Sequence, residues 1–238
     1  NQDKFNLEGI TCNNKLNKLI KIADQFKVRS IGYNEKSLSK RKYNTKKYQL
    51  YRDISEFDKI VSSKTNIIIY AISGIGSIDL ILKIIKKGKK IGLANKECII
   101  SFGKKILLNA KKYSSEIVPL DSEHNSIYHL LNINFSGIEK ILITASGGPF
   151  LNLDKKKFDN ITPKEALKHP IWKMGKKISI DSATMMNKAL EIIEAKYLFN
   201  LRNNQISAII HPQSIVHAII NYKNGVSTAL MYKPDMKV

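Results

Sequence analysis

Asn66-Ile67-Ile68-Ile69-Tyr70-Ala71-Ile72 is a continuous apolar, largely β-branched run, and Ser73-Gly74-Ile75-Gly76-Ser77 follows it directly. A run of this kind is typical of a strand buried on both faces. The glycine pair marks a tight turn, and residues 78–85 then carry a helical pattern. Residues 90–94 read as the next strand and residues 97–112 as the next helix. Upstream, residues 5–11 read as a strand, 16–26 as a helix with Leu16, Leu19, Ile20 and Ala23 on one face, and 28–32 as a short strand. Residues 54–62 look helical, while 36–52 are polar, basic and carry no assignable period. Strands alternating with helices of this length predict an α/β chain with a doubly wound, mostly parallel sheet.

After Glu123 the rhythm changes. Residues 125–131 read as a short helix, 138–144 as a strand, and Ser146-Gly147-Gly148-Pro149 as a turn. Thr162-Pro163-Lys164-Glu165 combines an N-cap threonine, proline at the first helical position and a glutamate that can close a capping box. Residues 168–177 read as irregular around Trp172, and 183–199 as one long helix. Residues 206–211 and 215–222 read as strands, and Asn224-Gly225 predicts a tight hairpin into residues 226–232. The rhythm places a boundary near Leu120, giving domains of residues 1–120 and 121–238.

The chain of 238 residues is long enough for one large or two small domains, and its 43% hydrophobic content is ordinary for a folded protein. A net charge of +20 invites a nucleic-acid reading. The residue types argue against it: arginine occurs only at Arg29, Arg41, Arg52 and Arg202, and the rest of the positive charge is lysine scattered among isoleucine and asparagine. Nucleic-acid binders favour arginine forks and interleaved aromatics. A positive field also suits a protein with anionic small-molecule ligands. Cys12 and Cys98 show neither metal-ligand spacing nor a disulfide framework. No apolar run approaches the roughly 18 residues of a membrane span.

The chemistry concentrates in two places. Asp121-Ser122-Glu123 sets two carboxylates on one face if that stretch is extended. Asn187, Lys188 and Glu191 are spaced to share one helix face. Three acidic oxygens beside a lysine and an amide suit a divalent cation and a phosphorylated ligand; the alternative is a strand-end carboxylate pair and a solvated helix face. Asn95-Lys96-Glu97 closes a strand at the sheet edge where α/β proteins bind ligands, or else caps the next helix. Asn13-Asn14-Lys15 ends the first strand, where a dinucleotide ribose is read, or else supplies a cap by Asn13. Gly74-Ile75-Gly76-Ser77 lacks a third glycine, so a strand-to-helix turn is explanation enough.

Taken in order, Ala94-Asn95-Lys96-Glu97, Val118-Pro119-Leu120-Asp121-Ser122-Glu123-His124-Asn125, Ser146-Gly147-Gly148-Pro149-Phe150, His169-Pro170-Ile171-Trp172-Lys173-Met174-Gly175, Asp181-Ser182-Ala183-Thr184-Met185-Met186-Asn187-Lys188 and His211-Pro212-Gln213-Ser214 closely resemble the 1-deoxy-D-xylulose 5-phosphate reductoisomerase family. The resemblance runs from about Phe5 to the last residue and is loose before Tyr70. It implies a Rossmann-like NADPH-binding domain followed by an α+β catalytic domain. It also implies conversion of 1-deoxy-D-xylulose 5-phosphate to 2-C-methyl-D-erythritol 4-phosphate with NADPH and Mg²⁺ or Mn²⁺.

By the same resemblance, Asp121, Glu123 and Glu191 are the metal ligands, and with Lys96 and His169 they form the catalytic set. Substrate contacts fall to Lys96, Ser122, Glu123, Ser146, His169, Trp172, Ser182, Asn187, Lys188 and Glu191. Asn13, Asn14, Lys15, Asn95, Glu97 and Gly175 face the cofactor. Residues 169–175 form a lid that Trp172 closes. His124 adjoins the motif but is not made a ligand by the resemblance and reads as a supporting or packing residue; His211, Ser214 and His217 have no direct chemical role and read as structural or near the dimer interface. The family's glycine-rich pyrophosphate loop has no counterpart before Phe5, and its C-terminal helical domain has none after Met236, so the chain reads as a fragment with little activity of its own. A homodimer in the cytoplasm, with a phosphorylated sugar as its ligand and neither nucleic acid nor membrane as partner, is expected. The competing reading is another NAD(P)-dependent dehydrogenase of a phosphorylated metabolite.

Overall fold

The computed structural model describes residues 4–37, 45–132, 137–168 and 175–233. The chain divides into two compact units, residues 1–92 with 105–117 and residues 93–104 with 118–238.

In the first unit, β1 (Gly9–Cys12), β2 (Ser30–Tyr33) and β3 (Gln49–Tyr51) form a parallel sheet in the order β1-β2-β3. Helix α1 (Leu16–Gln25) buries Leu16, Leu19 and Ala23, one stripe of its surface, into a core with Val28, Ile31, Tyr33 and Tyr48. β3 lies inside the stretch whose sequence had no assignable period.

The segment expected to be helical near residue 54 is a 3₁₀ helix, Ile54–Ile60. Its apolar residues Ile54, Phe57 and Ile60 recur every third position, which is the 3₁₀ repeat and not the α repeat. Asp53 caps it by accepting from the Ser55 amide at 2.9 Å.

β4 (Ile67–Tyr70), β5 (Lys90–Leu93) and β6 (Glu116–Pro119) form a second three-stranded sheet in the order β4-β5-β6. The Glu116 amide donates to the Lys89 carbonyl and the Leu120 amide to the Leu93 carbonyl, so β5 and β6 run parallel. One expectation fails here. β4 is an edge strand, and Ile67 and Ile69 are 48% and 64% exposed, so among the described residues one of its faces is uncovered. α2 (Ile78–Ile85) follows the glycine turn and buries Leu80, Ile81, Ile84 and Ile85. α3 (Lys96–Lys112) carries a non-helical Phe102, and the division between the units passes close to that kink.

The second unit is built on a mixed sheet in the order β10-β9-β7-β8. β7 (Ile138–Ala145) pairs parallel to β8 (Ile206–Ile210) and antiparallel to β9 (Val216–Tyr222), and β9 turns into β10 (Ser227–Met231). The turn uses Gly225 at φ 82°, with the Gly225 amide donating to the Tyr222 carbonyl at 3.0 Å. Ile141, Ile143, Ile206, Ala218 and Ile220 form the core of this sheet with Ile127 and Leu130 of α4 (Ser122–Leu131) and Ala195 of a later helix.

The capping box at Thr162 is present, and α5 (Pro163–Ala166) is a single turn. Residues 176–177, expected to be irregular, begin α6 (Lys176–Ala183). The long helix expected over 183–199 does not start at Ala183. α6 ends there, Met185 sits at φ 60°, and α7 (Met186–Leu198) begins afresh. A left-handed residue cannot continue a right-handed helix, so the chain turns a corner.

A candidate cation and anion site

The expected carboxylate pair is assembled differently from the extended geometry of the sequence reading. β6 ends at Pro119, Asp121 is the N-cap of α4 with extended backbone, and Glu123 lies in the first helical turn. The strand-to-helix corner, not a strand face, brings the two carboxylates together. Met185 then starts α7 so that Asn187, Lys188 and Glu191 share a helix face, as their spacing predicts. Carboxylate oxygens of Asp121, Glu123 and Glu191 lie within 4.8 Å of one another.

Three carboxylates this close need countercharge. Two lysines provide it. Lys96 Nζ is 2.8 Å from Asp121 Oδ2 and 3.3 Å from Glu191 Oε1, and it donates to Asn187 Oδ1 at 2.8 Å. Lys188 Nζ is 2.5 Å from Glu123 Oε1 and also bonds Glu191 Oε2. Asn187 donates its amide to Glu191 Oε1, and Ser122 donates its hydroxyl to Glu123 Oε2 at 2.7 Å. Lys96, Lys188 and Glu191 are buried.

The protonation balance follows. Burial pulls both ammonium groups down, but Asp121 and Glu191 around Lys96, and Glu123 and Glu191 around Lys188, outweigh it and hold both above the usual lysine range. Burial, helped by the Asp121 and Glu123 charges, pushes Glu191 up to about 7. Burial also raises Asp121, but His124 and Lys96 outweigh it and hold that carboxyl well below the usual range. The site therefore carries fixed negative charge together with one carboxyl that still takes up a proton near neutrality.

The donor set fits a hard divalent cation: oxygens only, three carboxylates, and buried Asp121 Oδ1 without a hydrogen-bond partner. Asp121, Glu123 and Glu191 line one cleft together with Ser146, Ser182, Asn187 and Lys188, which offer hydroxyl, amide and ammonium donors to an anion. Gly148, at φ 72°, runs so close to α6 that an added Cβ would stand 2.9 Å from the Ser182 carbonyl, so the glycine turn and Ser182 are placed by one another.

The sequence singled out no role for Thr144 and gave Ser214 and His217 no direct chemical role, yet all three also line this cleft. Thr144 donates to the Val216 carbonyl at 2.6 Å, and His217 stacks edge-on with Tyr232 at 5.4 Å. Their placement comes from the pairing of β7 with β9, a long-range contact with no local signature.

Other predicted positions fall as follows. Asn95 is buried and caps α3 by accepting from the Cys98 amide at 2.8 Å, and Glu97 stands 3.4 Å from Lys177. Gly175 is the N-cap of α6, and its carbonyl accepts from the Ser179 hydroxyl at 3.0 Å. Asn13, Asn14 and Lys15 are exposed beyond the end of β1. The helix cap considered for Asn13 does not form: its side chain accepts from Asn34 at 3.2 Å, and α1 has no side-chain cap. His169, Trp172 and Met174, the greater part of the expected lid, lie outside the described residues.

Parallel α/β sheets followed by a mixed-sheet unit that gathers three carboxylates between two buried lysines define the class, an α/β protein whose cleft has the donors for a hard cation and an anion. Comparison with known proteins narrows it. Residues 1–103 match the 1-deoxy-D-xylulose 5-phosphate reductoisomerase family model, and residues 117–199 match the model of that family's C-terminal domain. The chain belongs to the 1-deoxy-D-xylulose 5-phosphate reductoisomerase family.

A Pelagibacter ubique protein of that name is 45% identical over 243 residues, which are 100% of this chain and 63% of the relative. A Wolbachia pipientis (Culex pipiens) protein of the same name is 50% identical over 180 residues, 75% of this chain and 46% of the relative. A crystal structure of DOX-P reductoisomerase in complex with NADPH, fosmidomycin and magnesium superposes with a TM-score of 0.87 at 35% identity, covering 99% of this chain and 62% of that one. The Zymomonas mobilis enzyme in complex with NADPH gives a TM-score of 0.84 at 31% identity, with the same coverage. The chain thus spans less than two thirds of the length of these relatives.

Proposed function

We propose that this chain carries the metal and substrate site of an NADPH-dependent reductoisomerase that converts 1-deoxy-D-xylulose 5-phosphate to 2-C-methyl-D-erythritol 4-phosphate. The observation that carries the reading is the cleft in which Asp121, Glu123 and Glu191 meet Ser146, Ser182, Asn187 and Lys188. On this reading, residues 1–120 serve the cofactor and 121–238 hold the metal and the substrate.

A bound divalent cation would supply Lewis acidity to the substrate's oxygens, with Asp121, Glu123 and Glu191 as its ligands. NADPH would supply the hydride, received near Asn95, Glu97 and Gly175 and anchored through Asn13, Asn14 and Lys15. The chain's own contribution is placement. Lys188 and Asn187, at the start of α7, hold the phosphate together with the hydroxyls of Ser146 and Ser182. Lys96 keeps Asp121 ionised and aimed before the cation arrives, and is then free to turn to a substrate hydroxyl. Ser122 orients Glu123. His169 and Trp172 would close over the ligand and exclude water.

The net charge of +20 favours approach of two anionic ligands, and no role for nucleic acid is needed to account for it. Among the described residues no helix is long and apolar enough to cross a membrane. A homodimer working in the cytoplasm completes the proposal, and light scattering reads the assembly state directly.

Calorimetric titration with fosmidomycin, with and without Mg²⁺, tests the reading. Binding should require the cation and be lost in Lys188→Ala. Equal binding in the presence and absence of Mg²⁺ would sink it.

A further inference from the structure

Behind the three carboxylates lies a second cluster that shares Asp121 with them and adds two buried groups, His124 and Glu194, that the reaction does not call on. Asp121 Oδ1, His124 Nδ1 and Glu194 Oε2 are all buried without a hydrogen-bond partner. His124 is fully buried and Glu194 is 2% exposed. His124 Nδ1 stands 3.5 Å from Glu194 Oε2 and 3.6 Å from Asp121 Oδ1. The other ring nitrogen, Nε2, lies 2.9 Å from the backbone carbonyl of Glu191, and Phe199 stacks on the ring at 6.4 Å.

A carbonyl only accepts, so Nε2 is a donor. On the other side Nδ1 faces two carboxylate oxygens, and an unpaired polar atom in the interior costs about 1–3 kcal/mol. The three atoms have no other partner within reach, so they serve each other.

We propose that Glu194 is a positioning residue for the cation site: through His124 it holds the Asp121 carboxylate and the Glu191 turn of α7 in their ligating arrangement. This rests on the metal reading of Asp121, Glu123 and Glu191 given above. The geometry is that of an outer carboxylate aiming a histidine, here one step removed, since the histidine grips a ligand's side chain on α4 and a ligand's backbone on α7. Glu191 and Glu194 are three apart on α7, so one turn of helix carries both a ligand and the group that fixes its neighbour. Phe199 on one side of the ring leaves it little freedom once Glu194 is engaged.

The same three side chains also lie close enough together to take a cation of their own, with Asp121 shared between two ions. The test separates the two arrangements by stoichiometry. Mn²⁺ binding to this chain is followed by electron paramagnetic resonance, which reads free Mn²⁺, the number of ions bound and the symmetry of the bound ion. The variants are Glu194→Leu, which deletes the acceptor, and Glu194→Gln, which keeps the shape and an acceptor oxygen. Glu191→Gln serves as the ligand control, and circular dichroism confirms folding of each.

The expected result is one Mn²⁺ per unchanged chain. Affinity should fall by about ten- to a hundredfold in Glu194→Leu with an altered bound spectrum, and recover in part in Glu194→Gln. If Glu194→Leu does not fold, a bound spectrum in Glu194→Gln that differs from that of the unchanged chain, with one ion still bound, supports the proposal, and an identical one overturns it. Two ions per unchanged chain, one of them lost in Glu194→Leu, overturns it by making Glu194 a ligand. Unchanged affinity and spectrum in a folded Glu194→Leu also overturns it; if Glu191→Gln still weakens binding, the metal reading survives. No Mn²⁺ binding by the unchanged chain removes the metal reading and this proposal with it.

Discussion

Glu191 is where the site's competing demands meet. It accepts from Lys96, Asn187 and Lys188, yet its burial beside two other carboxylates leaves it titrating at about 7. On the proposed metal reading, a cation would have to displace that proton. Below pH 7 the site binds a proton in competition with the metal, and above it no proton is left to lose. Mn²⁺ affinity should therefore rise with pH and level off above about 7, changing by up to about tenfold per unit on the acidic side. Calorimetry in buffers of different ionisation enthalpy should show proton release at pH 6 and little at pH 8. Glu191→Gln keeps the shape, removes the charge and leaves Asp121 and Glu123 to balance the two buried lysines. It should weaken Mn²⁺ binding more than about tenfold and flatten the pH dependence. A pH-independent affinity in the unchanged chain would show that no proton on Glu191 competes with the metal.

At the scale of elements, the site depends on corners. The Asp121 cap joins β6 to α4, Met185 separates α6 from α7, and Gly147 and Gly148 turn the chain after β7 at φ 89° and 72°. Gly148→Ala meets two obstacles at once: a left-handed backbone that costs an alanine about 1–2 kcal/mol, and the Ser182 carbonyl 2.9 Å from the new methyl. It should destabilise the chain by at least that much. On the proposed function, it should also weaken fosmidomycin binding beyond what the loss of folded protein explains, because relief comes by moving Ser182. Thr162→Ala probes an element remote in sequence from that chemistry. Losing the capping box should cost about 1 kcal/mol in urea denaturation with Mn²⁺ affinity unchanged.

For the whole molecule, cohesion and charge pull in opposite directions. The second unit is held by the isoleucine core between the mixed sheet and helices α4 and α7, and Ile143→Ala in its centre should cost about 2–5 kcal/mol. Against this stands the mutual repulsion behind a net charge of +20. Thermal stability should rise as salt is added up to about 0.15 M, where the Debye length falls to about 8 Å. A chain of balanced charge would show little such gain, and a fall in Tm would mean that the surface ion pairs matter more than the net repulsion.

Local chemistry was written plainly in the sequence. The capping box at Thr162, the Asn224-Gly225 hairpin, the α/β alternation and the shared face of Asn187, Lys188 and Glu191 each depend on residues within a few positions of one another. The backbone's periodicity and turn preferences therefore specify them without help from the rest of the chain. The motif series likewise pointed to the family. The tertiary structure decided what depends on distant partners. It left one face of β4 open, broke the expected long helix at Met185, and set Asp121 and Glu123 around a corner and not along a strand. It also brought Thr144, Ser214 and His217 into the cleft, and Glu194 and His124 behind it. Burial supplies the physical reason. Whether a carboxylate is a solvated surface charge or a group titrating near neutrality is set by the side chains that remove water from it, and for Glu191 these include Lys96 and Asp121, far off in the chain.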